Sequence, residues 1–121
     1  MLDRQHAERF ADEWLAAWND HDLGEILDHY ADDVVFTSPF ALELAERDDG
    51  TLHGKEELRR YFARALEGFP DLRFHPQRVA VGATSVTLLY RSVRDLDAAE
   101  TMVLDEHGKV VRVYAHYVPA T

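Results

Sequence analysis

Glu100 stands in the run Ala99-Glu100-Thr101-Met102-Val103-Leu104, whose alternation puts its carboxylate on the same side as Met102 and Leu104. An acid facing apolar neighbours loses hydration, so its pKa rises toward the range where it can both take and give a proton. The competing reading is a strand-end glutamate facing water, or paired with Arg91 or Arg94. In the preceding segment Val86, Leu88, Tyr90 and Ser92 share a face. Tyr90 could hydrogen-bond a ligand oxygen or Glu100, or it could be a core tyrosine with its hydroxyl at a rim.

Seven histidines invite metal and catalytic readings. Their spacing supports no metal site: no His-x-His pair, no His-x-x-x-His on a helix and no facial triad with a carboxylate occurs. His53, just before a helix and beside a polar loop, is the histidine best placed for an acid or base. A plain surface residue is the alternative. The absence of cysteine removes disulfides, thiolate nucleophiles and zinc–thiolate sites. No metal and no cofactor is expected.

These groups need elements to position them. Ala7, Phe10, Ala11, Trp14, Leu15 and Trp18 recur at helical spacing and predict a helix over residues 6–19. Asp22, with Glu25 three residues later, caps a second helix whose apolar face is Leu23, Ile26, Leu27 and Tyr30. Residues 34–37 read as a short strand. Residues 40–49 are expected to form a loop or a single helical turn able to act as a lid. Gly54 opens a third helix, whose stripe is Leu58, Tyr61, Phe62, Ala65, Leu66 and Phe69. Strands are predicted over residues 72–81, 85–93, 99–104 and 110–118, with tight turns at 82–84 and 106–109 and a looser connection at 94–97. Helices followed by an antiparallel meander give an α+β class with the helices on one face of the sheet.

A chain of 121 residues is one domain, here residues 1–121. Thirteen basic against twenty-three acidic side chains leave a net charge of −10 and form no basic run, which argues against nucleic acid and against an anionic membrane surface. The N-terminal residues lack the apolar stretch of a signal peptide, and nothing approaches a membrane span, so a cytoplasmic protein is expected.

Element order and three local runs resemble the nuclear transport factor 2-like superfamily, with its SnoaL-like and ketosteroid-isomerase-like domains. The runs are Trp14-Leu15-Ala16-Ala17-Trp18-Asn19 with Asp22-Leu23, then Tyr30-Ala31-Asp32-Asp33, then Gly54 at a helix start. The resemblance implies a cone-shaped roll: three N-terminal helices packed in a strongly bent, mainly antiparallel sheet, with a pocket at one end. It also implies roles. The isomerases place their general base before the proline of Ser38-Pro39, and a serine cannot serve there without a base of its own. Trp14 stands where they have an oxyanion-binding tyrosine, and Glu100 where they have an acidic hydrogen-bond donor. Steroid isomerisation is therefore not expected.

What the resemblance leaves is a pocket for a small, mainly apolar molecule, lined by Trp14, Phe36, Ser38, Phe40, Tyr90, Met102 and Tyr117. Glu100, with His53 as a secondary proton carrier, could run an isomerase, cyclase or hydrolase reaction without a cofactor. Trp18 and Phe62 are read as core. The alternative is a non-catalytic ligand-binding or dimerisation module. The outer sheet face, carrying Arg112, Tyr114 and His116, is the expected homodimer surface.

Overall fold

The computed structural model describes residues 2–45 and 47–120, so Glu46, within the expected lid segment, lies outside the described residues. Helix α1 (Arg4–Asn19) starts at Asp3, whose side chain accepts from the His6 amide at 2.9 Å. It buries Ala7, Ala11, Trp14, Leu15, Ala17 and Trp18. Helix α2 (Leu23–Leu27) is capped by Asp22, which accepts from the Glu25 amide at 3.1 Å. Strand β1 (Tyr30–Thr37) follows, then helix α3 (Pro39–Leu44), strand β2 (Thr51–His53) and helix α4 (Lys55–Gly68). The chain ends in β3 (His75–Val81), β4 (Ser85–Arg91), β5 (Leu96–Leu104) and β6 (Val110–Pro119).

The six strands form one mixed sheet in the order β2-β1-β6-β5-β4-β3. All neighbours are antiparallel except β1 and β6, which run parallel through Val35–Arg112, Phe36–Val113 and Thr37–Tyr114. Helices α1 and α4 pack against this sheet, and the core between them is continuous from Ala7 to Val113. The class is α+β and the sheet is not closed into a barrel, as the nuclear transport factor 2-like cone requires.

Four expectations need correction. Tyr30 is not on α2: that helix stops at Leu27, and Tyr30 begins β1 by pairing with Val110. A strand was not expected at residues 51–53, where β2 pairs with β1 through His53, Leu52 and Thr51. Residues 39–44 are a helix of their own, so the described chain has four helices rather than three. Ser38 caps it, its Oγ accepting from the Phe40 amide at 3.2 Å, and Pro39 occupies the first turn, where its missing N–H is harmless. Finally, the first long strand starts at His75 rather than at 72, and the connection after β4 is a turn that ends before Leu96.

Glycine is required at two of these joints. Gly54 (φ +88°) sends its amide to the Val34 carbonyl at 2.7 Å as the chain enters α4. Gly50 (φ +72°) lies where an added Cβ would approach the Ser38 carbonyl oxygen to 3.1 Å. The two joints flank β2 on either side.

Candidate functional site

Strand pairing puts the key polar groups side by side. Glu100 pairs with Leu88 on β4 and Ala115 on β6, and Tyr90 with Ala98 on β5, so both side chains project from the inner face. There the Tyr90 hydroxyl donates to Glu100 Oε1 at 2.6 Å. Glu100 is 4% exposed and Tyr90 1%. Burial pushes the Glu100 carboxyl up to about 7, and the Tyr90 bond opposes this only in part. Burial and the nearby Glu100 charge together push the Tyr90 hydroxyl well above its ordinary range.

Among the described residues no cation pairs with this carboxylate. Arg91 Nε bonds Asp97 Oδ1 at 2.7 Å, and Arg94 reaches Glu43 on α3. Of the two readings of Glu100, the structure therefore gives the buried acid and not the salt bridge.

Glu100 and Tyr90 form the polar end of a cavity of about 50 Å³ whose walls are mostly aromatic and aliphatic. Trp14, Phe36, Phe40 and Tyr117 line it. Trp14 stacks on Phe74 at 5.8 Å and meets Tyr90 at 5.5 Å, while Phe40 meets Tyr117 edge-on at 4.8 Å. Trp14 does not offer its indole N–H to the cavity. It donates that proton to the Tyr30 hydroxyl at 2.9 Å.

Three expected site residues are placed elsewhere. His53 is exposed at the end of β2, does not line the cavity, and sends its backbone amide to Glu57 Oε1 at 3.0 Å. Met102 is fully buried in the core and does not line the cavity. Ser38 is 1% exposed and serves as the α3 cap, close to the Tyr61 and Tyr117 hydroxyls. Burial and the Glu100 charge hold both of those hydroxyls above their ordinary range.

Sequence reasoning missed Tyr61 as a lining residue and favoured core over pocket wall for Trp18 and Phe62. Both are core and lining at once, with their rings 4.8 Å apart. The helical spacing of Trp14 and Trp18 was the available signal, since it aims both indoles at one side. Among the described residues the buried Trp18 Nε1 makes no close hydrogen bond. Among the described residues no three His, Asp or Glu side chains converge as a metal cluster, and no helix is long and apolar enough to cross a membrane.

The SnoaL-like domain family matches the chain over residues 11–118. A SnoaL-like protein of unknown function from Burkholderia thailandensis is 37% identical, with a TM-score of 0.93 over 96% of this chain and 97% of that one. AclR from Streptomyces galilaeus, a candidate hydroxylase, superposes with a TM-score of 0.74 at 19% identity, over 96% of this chain and 91% of its own. A candidate isomerase of the SnoaL-like family from Agrobacterium tumefaciens gives 0.74 at 15% identity, over 94% and 98%. None of the curated proteins matches.

Proposed function

Since the chain belongs to the SnoaL-like domain family, we propose that its cavity takes a small, mainly apolar molecule and that Glu100 moves a proton on it. The observation that carries this is a carboxyl without a cationic partner, buried in an apolar cavity, with its pKa raised to about 7. Such a group is present in both protonation states near neutrality, the condition under which general acid–base catalysis is most effective. The Tyr90 hydroxyl, 2.6 Å away, fixes one carboxylate oxygen and leaves the other for the ligand.

Proton transfer is work that side chains do alone, so the reading needs no cofactor. Enolisation-driven isomerisation, cyclisation and water addition all fit it. The two more distant relatives, one a candidate hydroxylase and one a candidate isomerase, illustrate how little this fold restricts the chemistry.

Deuterium exchange from solvent into cyclopentanone, followed by proton NMR, tests the reading. Exchange faster than buffer, rising with pH around 7 and lost in Glu100→Gln, is the expected result. Exchange at the buffer rate in both proteins sinks the acid–base reading.

One observation favours a second reading, a non-catalytic module that dimerises. A cavity of about 50 Å³ is far below the ~300–1,000 Å³ of pockets for drug-sized ligands. On the opposite side of the sheet Arg112, Tyr114, His116 and Val118 stand exposed along β6, with Tyr114 at 44% and Val118 at 59%. Under this reading two copies pair through that face. Light scattering of the protein and of Tyr114→Glu decides it: a dimer that the substitution splits supports the module, and a wild-type monomer removes it.

A further inference from the structure

We infer that Arg94 is a specificity-determining residue at the cavity mouth, where it takes the carboxylate of an apolar ligand in place of Glu43. The inference rests on the ligand-cavity reading above and adds the chemical class: an apolar carboxylate, held by its charged end.

Arg94 sits in the turn between β4 and β5, and its guanidinium lies 5.3 Å from the ring centre of Phe40 and 5.4 Å from that of Phe69. Both rings line the cavity. The guanidinium therefore packs on two rings of the cavity wall, where cation–π contact holds it on an aromatic base. Its fork is already arranged for a carboxylate, with Nη1 and Nη2 each 3.2 Å from a different Glu43 oxygen. That two-bond geometry is how arginine recognises carboxylates in general.

Glu43 is a weak competitor for the position. Its side chain is 59% exposed on a helix of six residues, and exposed pairs of this kind contribute little. A ligand that brings its own carboxylate, and buries an apolar body as well, can displace it.

The backbone around Arg94 is also unusual. Arg94 (φ 59°) and Asp95 (φ 54°) are consecutive left-handed residues in a two-residue hairpin turn closed by the Leu96 amide on the Val93 carbonyl at 3.2 Å. Such turns favour Asn-Gly, because side chains are strained there. Strain at a cavity mouth is where function is often found. Here it aims the Arg94 side chain at Glu43 on α3.

Charge fixes the ligand's orientation. Arg47 pairs with Glu57, and Arg64 donates to the Leu44 carbonyl at 3.0 Å, so these two cations are engaged outside the cavity. Inside, Glu100 repels a second carboxylate. An acid can enter only with its apolar end toward Glu100 and its charge at Arg94.

Hexanoate and hexan-1-ol, titrated at neutral pH against the Trp14 and Trp18 indole N–H resonances, test the inference. The expected result is about tenfold tighter binding of hexanoate, the size of a charge-assisted bond. Arg94→Gln should equalise the two probes, and Glu43→Gln should tighten hexanoate alone. Equal binding in wild type, or a preference that survives Arg94→Gln, overturns the role of Arg94 and leaves the cavity reading intact. If neither probe moves the indole resonances, the cavity reading falls and the inference with it.

Discussion

The Tyr90 hydroxyl lies 2.6 Å from Glu100 Oε1, and both groups are sealed from solvent by aromatic rings. Burial of this carboxyl, which the Tyr90 bond offsets only in part, ties the protein's stability to pH. The folded pKa of Glu100, about 7, lies above its ordinary value of 4.5. The stabilisation is therefore complete below about 4.5 and is lost as pH rises through about 7. The full change is on the order of 3 kcal/mol. Thermal melts should show wild type losing stability from pH 5 to 8, while Glu100→Gln stays level and is the more stable protein at pH 8. A wild-type profile as flat as that of the variant would mean the carboxyl is hydrated.

Tyr90→Phe removes the donor that opposes burial, so the Glu100 pKa should move further up. Carbon-13 NMR of the Glu100 side-chain carboxyl reads it directly. A downward move would show that the hydroxyl does not stabilise the ionised form.

Ser38→Ala takes away the side-chain cap of α3 and should destabilise the fold by about 0.5–2 kcal/mol. Denaturant unfolding measures the loss, and faster amide exchange at Phe40 locates it. Wild-type stability in this variant would mean that Ser38 contributes nothing as a cap.

His53→Ala should leave stability within about 0.5 kcal/mol of wild type, because the side chain is exposed. It should also leave any Glu100-dependent deuterium exchange unchanged. A variant that folds normally but loses that exchange would return His53 to the list of proton carriers.

Much of this architecture is local and was legible as such. The α1 stripe and the alternation along β4, β5 and β6 are periodic over a turn or more, so burial could be read from spacing. The same alternation placed Glu100 inward beside Met102. Tyr30 was misread because its spacing from Ile26 and Leu27 also fits a helix. Its place is set instead by Val110 and by the Trp14 indole, both distant in sequence. Strand β2 has three residues and exists because β1 is there to pair with it. His53 looked catalytic from its neighbours in the chain, and the exposed end of an edge strand carried no such signal. The sequence offers Arg94 only as a possible partner of Glu100, because the turn that aims it at α3 depends on backbone angles, which residue type alone does not give.

Strand β6, last of the six in chain order, lies between β1 and β5. On the ribosome, strands β1 and β2 emerge early and β3 to β5 follow, yet no strand pairing joins these two pieces until Val110 onward has been made. Until then a nascent chain presents two unpaired strand edges and an open aromatic hollow, the kind of surface that chaperones cover. Joining them requires contacts between residues some eighty positions apart, such as Tyr30 with Val110, and contacts of that range slow folding. Glu100 thus has no closed environment, and no reason to hold its proton at neutral pH, until the sheet is bridged.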